Sequence, residues 1–393
     1  MNLRPIADRV HWLGVVDWDR RLFDSLIPLP DGTSYNAYLI RGSEKTVLLD
    51  TVDPPFWPML EKQLAGVDRI DFVVSHHTEQ DHSGAVPMVL AKYPKAVLLC
   101  SEKAKPLVMD HLHVPENRIR VVTDGETLAL GGKTLQFVYT PWVHWPETMV
   151  TFLKEDGILF SCDFFGSHLA TTDLTAVDRP RVYESAKRYY AEIMMPFRNV
   201  IRKNMEKVES LGVKRIAPSH GPLYDDPAFI MDAYCDWISD NVKNEVVIPY
   251  ISMHGSTRKM VDRLIAGLVD RGVTAYRFDL ASADIGKLAI SLVDAATLVV
   301  GTPTVHAGPH PNAVYAAVLA NAIRPKVRFA SVIGSYGWTT KAVEAIASMI
   351  PNLKVEIIPP VLCKGDPTDA DDKAIDGLAE AIAKKHREAG LTG

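Results

Sequence analysis

From about Glu245 to the end of the chain, apolar strand patterns alternate strictly with helical patterns. The predicted strands of this part are Val246–Tyr250, Ala275–Phe278, Leu298–Val300, Arg328–Ile333 and Lys354–Ile358. Strands that are each followed by a helix run parallel, because the helix carries the chain back to the starting edge of the sheet. The alternation therefore predicts an α/β fold with a doubly wound parallel sheet.

The part before Glu245 has a different pattern, in which short strands are closed by turn residues. The predicted strands are Lys45–Leu49, Arg69–Ser75, Lys95–Leu99, Arg118–Val122, Lys133–Tyr139, Met149–Leu153 and Ile158–Ser161. The pairs Asp124-Gly125, Gly131-Gly132 and Asp156-Gly157 are typical of hairpins. Helices are predicted at Ala85–Lys92 and Glu184–Met194, so this part mixes strands and helices.

The length and the change of pattern together predict two domains. A chain of 393 residues exceeds the usual domain size of about 150 residues. The polar segment Ser239-Asp240-Asn241 separates the two patterns. We therefore expect one domain over residues 1–243 and a second over residues 244–393.

Composition excludes several classes of partner and compartment. With 43 Lys and Arg against 48 Asp and Glu, the net charge of −5 provides no positive field for nucleic acid or anionic lipid. No apolar run approaches the roughly 18 residues of a membrane span, and the N-terminus lacks a signal-peptide pattern. The four cysteines are scattered without a CxxC pair, which is typical of a reducing compartment. We therefore expect a cytoplasmic protein with small-molecule or protein partners.

A dense cluster of possible metal ligands follows the strand that ends at Ser75. Four of the six positions from 77 to 82 carry an imidazole or a carboxylate, namely His77, Glu79, Asp81 and His82. Such closely spaced groups repel and desolvate one another unless a cation neutralises them. The pattern H-x-E-x-D-H therefore predicts a metal site, whereas one histidine alone would be typical of a packed or surface side chain.

Three further candidate ligands, His144, Asp163 and His220, follow strands or stand in loops. Together with the first cluster they provide four histidines and three carboxylates. This set is too large for one tetrahedral zinc ion, and it suits two metal ions that share a bridging carboxylate.

The cluster resembles the metallo-β-lactamase superfamily, which has an αββα sandwich fold and a dinuclear site. Hydrolytic members usually read H-x-H-x-D-H, whereas this chain has Glu79 at the third position. A carboxylate in place of an imidazole favours a harder, redox-capable metal such as iron. This substitution is typical of flavodiiron proteins, also called A-type flavoproteins. The resemblance extends over essentially the whole chain and includes Asp17-Trp18, Thr33–Leu39, His144–Pro146, Tyr189–Ala191 and Ala217–Gly221.

The resemblance implies a role for each candidate ligand. One iron would be held by His77, Glu79 and His144, the other by Asp81, His82 and His220, and Asp163 would bridge them. Tyr189 and His168 would line the pocket as catalytic residues, although a structural hydrogen bond is an alternative for each. His76 is expected to point away from His77, because successive side chains of an extended strand alternate. Asp24 stands where many relatives have histidine, and this difference bears on the preference for O2 or NO.

Three loops in the second part have residues suited to a flavin nucleotide. Residues 252–257 follow the first strand and open the predicted helix Arg258–Leu268, where free N–H groups and the helix dipole favour a phosphate. Gly301–Thr304 and Gly334–Trp338 follow two other strands, so all three loops lie at the carboxyl ends of parallel strands, where open sheets bind ligands. The alternatives are a simple N-cap in the first loop and an aromatic side chain that only caps the sheet in the third.

These loops resemble those of flavodoxin with FMN, the second module of flavodiiron proteins. The implied FMN contacts are Ser252, Met253, His254, Gly255, Ser256, Thr257, Thr302, Pro303, Thr304, Gly308, Ser335, Tyr336, Gly337 and Trp338. Relatives often have Asn-Asn-Gly where this chain reads His306-Ala307-Gly308. We expect this difference to alter the flavin potential or the approach of the electron donor, and not FMN binding itself.

The resemblance implies an oxidoreductase that reduces O2 to water, NO to N2O, or both. Electrons would pass from an external donor through FMN to the two irons, and the donor would be a rubredoxin-like protein or reduced F420. A head-to-tail homodimer, or a dimer of dimers, would bring the FMN of one subunit beside the irons of another. The chain has no CxxC…CxxC module, so any rubredoxin would be a separate protein.

Two other functions are compatible with parts of the pattern. The first is a dinuclear zinc hydrolase with a flavodoxin-like binding domain, which Glu79 disfavours. The second is a non-catalytic flavin-binding redox sensor, which the full set of seven ligands disfavours.

Overall fold

The computed structural model describes residues 3–391 and divides into two compact units. The first unit contains the described residues up to Tyr189 together with Phe197–Ile238. The second contains Tyr190–Pro196 and the described residues from Ser239 onward. Within residues 3–391, every helix is too short or too polar to cross a membrane.

The first unit begins with nine strands, seven of which form one mixed sheet. They are β1 (Arg4–Ala7), β2 (Val10–Asp17), β3 (Leu22–Phe23), β4 (Ile27–Pro28), β5 (Thr33–Arg41), β6 (Thr46–Leu49), β7 (Phe72–Val74), β8 (Val97–Cys100) and β9 (Ile119–Val121). The sheet order is β1-β2-β5-β6-β7-β8-β9, antiparallel as far as β6 and parallel from β6 to β9. Strands β3 and β4 pair with each other as a separate hairpin.

A second sheet of five strands completes the strand content of this unit. Its strands, which neighbour one another in chain order, are β10 (Thr127–Ala129), β11 (Thr134–Tyr139), β12 (Met149–Leu153), β13 (Ile158–Cys162) and β14 (Arg215–Pro218). The last pair, β13 and β14, is parallel. The sheet therefore brings the ends of β13 and β14 side by side, although more than 50 residues separate them in the chain.

Seven helices accompany these sheets. They are α1 (Trp57–Gln63), α2 (Gln80–Ser83), α3 (Val86–Lys92), α4 (Ala104–Leu112), α5 (Arg179–Tyr189), α6 (Arg198–Glu209) and α7 (Pro227–Ile238). Strand β5 shows how the layers form, because its side chains alternate between two cores. Ala37 and Leu39 join a core with α1, α3 and α4, whereas Tyr38 and Ile40 join the core shared with the second sheet. The first sheet is thus covered by helices on one face and by the second sheet on the other.

The second unit is a doubly wound sheet, as predicted. Its elements are β15 (Lys243–Tyr250), α8 (Ser256–Val269), β16 (Thr274–Asp279), α9 (Ile285–Leu292), β17 (Ala295–Val305), β18 (Gly308–Pro309), α10 (Pro311–Ile323), β19 (Phe329–Tyr336), α11 (Ala342–Met349), β20 (Glu356–Ile357), β21 (Val361–Lys364) and α12 (Asp369–Glu388). The order β16-β15-β17-β19, with β20 and β21 on β19, is entirely parallel apart from the short β18. The chain reverses its direction across the sheet between β15 and β17, which makes their carboxyl ends the switch point.

Two local predictions for the first unit were wrong in detail. Asp124-Gly125 is not a hairpin turn, because the flanking strands β9 and β10 belong to different sheets. Gly125 instead turns the chain from one sheet to the other, with φ of 81° and its N–H bonded to the carbonyl of Phe137. The helix predicted at Glu184–Met194 begins at Arg179 and ends at Tyr189, and Tyr190–Met194 forms wider π-helical turns.

Candidate metal centre and flavin site

The ligand cluster of the first unit begins where β7 ends. The chain leaves the sheet after Val74, and the short helix α2 then begins at Gln80. His76 points away from the cluster, as expected: its Nδ1 lies 2.6 Å from Asp50 Oδ2, and its Nε2 lies 2.7 Å from Thr151 Oγ1. Both ring nitrogens of His76 are therefore occupied by hydrogen bonds.

Four of the seven candidate ligands lie together, namely His77, Glu79, His144 and Asp163, and we call the first three of them the first group. Their ligand atoms all lie within 4.8 Å of one another. Glu79 Oε2 is 3.1 Å from His77 Nε2 and 3.3 Å from His144 Nε2. The four side chains converge on one point although they come from the loop after β7, the loop before β12 and the end of β13.

The other three candidates form the second group: Asp81, His82 and His220. His220 Nε2 lies 3.2 Å from Asp81 Oδ2, and His82 Nε2 lies 3.4 Å from Asp81 Oδ1. Helix α2 supplies the first two side chains, and the loop after β14 supplies His220. All three side chains are buried.

Asp163 lies between the groups with one oxygen directed at each. Its Oδ1 is 3.0 Å from His82 Nε2 and 3.4 Å from His220 Nε2. Its Oδ2 is 3.4 Å from His144 Nε2 and 3.6 Å from His77 Nε2. This is the arrangement of a carboxylate that bridges two metal ions.

The chemistry of the buried atoms fits two cations. Both oxygens of Asp81, both oxygens of Asp163 and Nε2 of His82 are buried without a hydrogen-bond partner among residues 3–391. Carboxylates buried in this way are costly unless a positive charge neutralises them. Oxygen and imidazole donors together suit iron, and the set supplies enough of them for two ions.

The electrostatics of the cluster follow from the same geometry. Burial disfavours the charged form of His220, but the nearby carboxylates of Asp163 and Asp81 raise its pKa to about 10. Burial likewise opposes ionisation of Asp163, yet the charge of His82 and the nearby imidazole of His144 hold its pKa well below the usual value. The Asp163 carboxylate is therefore ionised, which is the form that binds a metal.

Tyr189 and His168, the two predicted catalytic residues, lie against the second group. The ring centroid of His168 is 5.0 Å from that of His220 and 4.8 Å from that of Tyr189. Burial, followed by the charge of His220, lowers the pKa of His168 well below its usual value, and burial raises the pKa of Tyr189. The imidazole is thus neutral and the phenol protonated at neutral pH.

The structure also reveals a residue that the sequence analysis missed. Glu147 is buried, and its Oε1 accepts a hydrogen bond of 2.8 Å from His77 Nδ1. Glu147 has no spacing that marks it as a ligand, since it lies 70 positions from His77 in the chain. The available signal was its place three positions after His144, next to the His144–Pro146 motif.

The predicted flavin loops meet at one edge of the second unit. Residues 252–257 follow β15 and lead into α8, where Gly255 has φ of 98° and Ser252 Oγ accepts hydrogen bonds from the N–H groups of Gly255 and Arg258. The Oγ atoms of Thr257 and Ser335 are 3.1 Å apart, which ties the first loop to the end of β19. The prediction of three loops was wrong in detail, because Gly301–Thr304 belongs to the last part of β17 and β19 continues to Tyr336. The three segments nevertheless meet at the carboxyl ends of β15, β17 and β19.

Several of the predicted FMN contacts are exposed at this edge. Trp338 is 83% exposed and Met253 is 49% exposed, whereas Thr257 and Thr302 are buried. Gly334 lies so close to the carbonyl of Thr302 that a Cβ atom there would be 2.2 Å from its oxygen. The base of the site is therefore tightly packed, and its aromatic rim is open.

Comparisons with known proteins agree with both halves of this description. A family model described as "ODP family beta lactamase" matches residues 33–221, and one described as "Flavodoxin" matches residues 248–377. A protein named nitric oxide reductase, from Moorella thermoacetica, is 35% identical, and the match covers 90% of each chain. A protein named coenzyme F420H(2) oxidase, from Methanocaldococcus jannaschii, is 33% identical over 98% of this chain and 97% of its own.

Solved structures agree as well. Rubredoxin oxygen:oxidoreductase from Desulfovibrio gigas superposes with a TM-score of 0.94 at 29% identity, covering 98% of this chain and 99% of its own. The flavodiiron protein from Giardia intestinalis gives a TM-score of 0.89 at 26% identity, with 98% of each chain covered.

A β-lactamase-like unit with seven converging candidate metal ligands, followed by a flavodoxin-like unit, defines an oxidoreductase with two kinds of redox cofactor. Within that class, the chain belongs to the flavodiiron protein family. Its cofactors are FMN and a pair of irons, and the predicted αββα and flavodoxin-like folds are confirmed. A zinc hydrolase is not favoured.

Proposed function

We propose that the protein reduces O2 to water, NO to N2O, or both, with electrons that an external donor delivers through FMN. The observation that carries this proposal is Asp163, which directs one oxygen at each of two ligand groups and so provides for two metal ions. Glu79, in place of the histidine of hydrolytic relatives, favours iron at the first group. The names of the relatives, a nitric oxide reductase and an F420H(2) oxidase, support both substrates.

The ligand assignment follows the two groups. We assign His77, Glu79 and His144 to one iron, Asp81, His82 and His220 to the other, and Asp163 to the bridge. Such a pair, together with FMN, supplies the electrons for reduction of a small molecule.

Tyr189 and His168 act beside the second group. The protonated hydroxyl of Tyr189 is a hydrogen-bond donor, and burial keeps it so. His168 binds Thr33 Oγ1 through Nδ1 at 2.9 Å, and its Nε2 has no hydrogen-bond partner among residues 3–391. This nitrogen is therefore available to a bound substrate, and the two side chains together orient that substrate by hydrogen bonds.

In the second unit, residues 252–257 at the start of α8 would bind the FMN phosphate through backbone N–H groups and the hydroxyls of Ser252, Ser256 and Thr257. Tyr336 and Trp338 would stack on the flavin ring. The remaining contacts would come from Met253, His254, Gly255, Thr302, Pro303, Thr304, Gly308, Ser335 and Gly337. The packed base and open rim of the site support this orientation, with the phosphate inside and the ring outside.

The functional assembly that we propose is a head-to-tail homodimer or a dimer of dimers, with residues 1–243 as the diiron domain and residues 244–393 as the FMN domain. The exposed ring of Trp338 supports a partner surface at the flavin site. The donor would be a rubredoxin-like protein or reduced F420, as relatives' names suggest. Four unpaired cysteines support a cytoplasmic location.

One anaerobic preparation tests the proposal. The protein is assayed for flavin and metal, reduced, and mixed with O2 or with NO. We expect about one FMN and two irons per chain and rapid reoxidation by at least one gas. Two zinc ions without flavin, or reduced protein that is inert to both gases, would contradict the proposal. The two reoxidation rates decide the preferred substrate.

A further inference from the structure

Glu147 is a buried carboxylate directly behind the first group. Its Oε1 accepts hydrogen bonds from His77 Nδ1 at 2.8 Å and from the N–H of Thr78 at 3.0 Å. The backbone carbonyl of Glu147 accepts a hydrogen bond of 2.6 Å from Ser101 Oγ. Both the backbone and the side chain of Glu147 are therefore fixed.

The hydrogen bond to Glu147 determines which nitrogen of His77 faces the metal ligands. With its proton on Nδ1, the ring directs Nε2 to within 3.1 Å of Glu79 Oε2. Trp145 packs perpendicular to the ring at 4.8 Å between centroids, which restricts its rotation. An imidazole that donates to a carboxylate in this way is a stronger metal ligand than one that donates to a neutral group.

Within the part of the chain that the structure describes, no carboxylate accepts a hydrogen bond from the outer nitrogen of His220 in the second group, and the buried Asp50, whose charge acts on His82, is already paired with His76. His220 Nδ1 donates to the backbone carbonyl of Ser34 at 2.7 Å, and this acceptor is neutral. Each group has one carboxylate of its own and a share of Asp163. Among the described residues, Glu147 forms an ion pair only with His77. It therefore adds one buried negative charge to the first group alone.

We infer that Glu147 is a positioning residue that makes the two metal positions unequal. By fixing His77 and adding negative charge behind it, Glu147 strengthens metal binding at the first group and stabilises the more highly charged ferric ion there. When one of two irons is oxidised, the ferric ion is therefore the one in the first group. This inference rests on the ligand assignment under the proposed function.

The test compares Glu147→Gln with wild type in two measurements. Chelator competition with Fe²⁺ under anaerobic conditions gives the affinity of each position, and Mössbauer spectra of ⁵⁷Fe protein oxidised by one electron show which position is ferric. The ligand variants His144→Asn and Asp81→Asn identify which signal belongs to which group. Glu155→Gln is the matched control, because Glu155 is an exposed glutamate that accepts a hydrogen bond from the N–H of Thr134 and is not among the candidate ligands.

We expect Glu147→Gln to lower the Fe²⁺ affinity of the first position by about 10- to 100-fold and to leave that of the second position nearly unchanged. The ferric ion should then no longer be confined to the first group. Glu147→Asp separates charge from shape: it should keep the ferric ion in the first group, whereas Gln, which matches the shape of Glu, should not. A merely structural role would give the opposite ranking.

The outcomes distinguish this inference from the proposed function. If wild type binds two irons and Glu147→Gln leaves both affinities and the ferric position unchanged, or weakens both positions equally, the inference is wrong and the proposed function stands. If wild type does not bind two irons, the proposed function itself fails.

Discussion

At the scale of single residues, we expect both proposed metal positions to depend on Asp163. It is buried, comes directly after β13 and contributes one oxygen to each ligand group. We expect Asp163→Asn to weaken the binding of both irons by more than about 100-fold. That factor is the largest usual effect of losing a hydrogen-bond partner behind a metal ligand. FMN content should not change, because the flavin loops belong to the other unit.

Metal and flavin analysis of purified protein checks this prediction, with Asp173→Asn as the control because Asp173 is exposed. Retention of both irons in Asp163→Asn would show that this carboxylate is not shared. Loss of FMN together with iron would point instead to general unfolding.

The candidate ligands could be found from the sequence because their chemistry is unusual wherever they lie. Four imidazole and carboxylate groups crowded at a strand end need a cation to neutralise them, whichever fold the rest of the chain adopts. Glu147 and Asp50 could not be found in this way. Each acts through a hydrogen bond to a histidine far away in the sequence, at separations of 70 and 26 positions. Only the pairing of the sheets brings them into contact.

At the scale of elements, the turn between β17 and β18 contains residues that are unusual for its backbone conformation. Val305 pairs with Gly308, which leaves His306 and Ala307 as a two-residue turn with φ of 47° and 64°. Both positions of such a turn favour asparagine or glycine, and an L-residue there costs about 1–2 kcal/mol. The resemblance to flavodiiron proteins marks His306 and Ala307 as unusual, and the structure shows the backbone conformation that they must adopt.

We expect Ala307→Gly to stabilise the protein by about 0.5–1 kcal/mol, since relief of the left-handed strain exceeds the entropy that glycine adds to the unfolded chain. Urea unfolding of the FMN-loaded protein measures the change. Ala316→Gly, inside α10, is the matched control and should destabilise the protein by about 1 kcal/mol. A loss of stability in both variants would mean that the turn is not strained.

Prediction succeeded best for elements whose pattern is local. Strand β12 was predicted to the residue, and the alternating part of the chain gave the correct parallel sheet. Prediction failed where long-range packing determines the local structure. The Asp124-Gly125 pair has the residues of a hairpin but connects two sheets, and the continuous helical pattern through Tyr190 hides a change to π-helical turns. Neither feature is encoded in the residues beside it.

At the scale of the whole molecule, the two units differ in what holds them together at acid pH. In the first, the ligands must be deprotonated to bind metal, so acid releases the ions. In the second, His386 of α12 connects the helix to the sheet. Its Nδ1 lies 2.7 Å from Asn244 Oδ1, and its Nε2 lies 2.7 Å from Thr297 Oγ1. Burial favours the neutral ring, in which Nδ1 donates to Asn244 and Nε2 accepts from the Thr297 hydroxyl.

We therefore expect the second unit to lose stability between pH 6.5 and pH 4. Burial lowers the pKa of His386 to about 4 from the usual 6.5. Well above pH 6.5 the ring is neutral in both the folded and the unfolded state, so the stabilisation is complete. As the pH falls, the unfolded chain binds a proton that the folded chain does not, and stability decreases until both are protonated below about pH 4.

His386→Gln tests this expectation because its side chain retains hydrogen-bonding groups but does not titrate. Urea denaturation of the FMN-loaded protein gives the free energy of unfolding at each pH. From pH 7 to pH 5 this free energy should fall by about 1–2 kcal/mol less in the variant than in wild type, once solvent screening is allowed for. Comparing the slopes of unfolding free energy against pH removes the contribution of every titrating group that both proteins contain, including the metal ligands. Equal slopes would show that His386 is protonated as easily in the folded protein as in the unfolded chain.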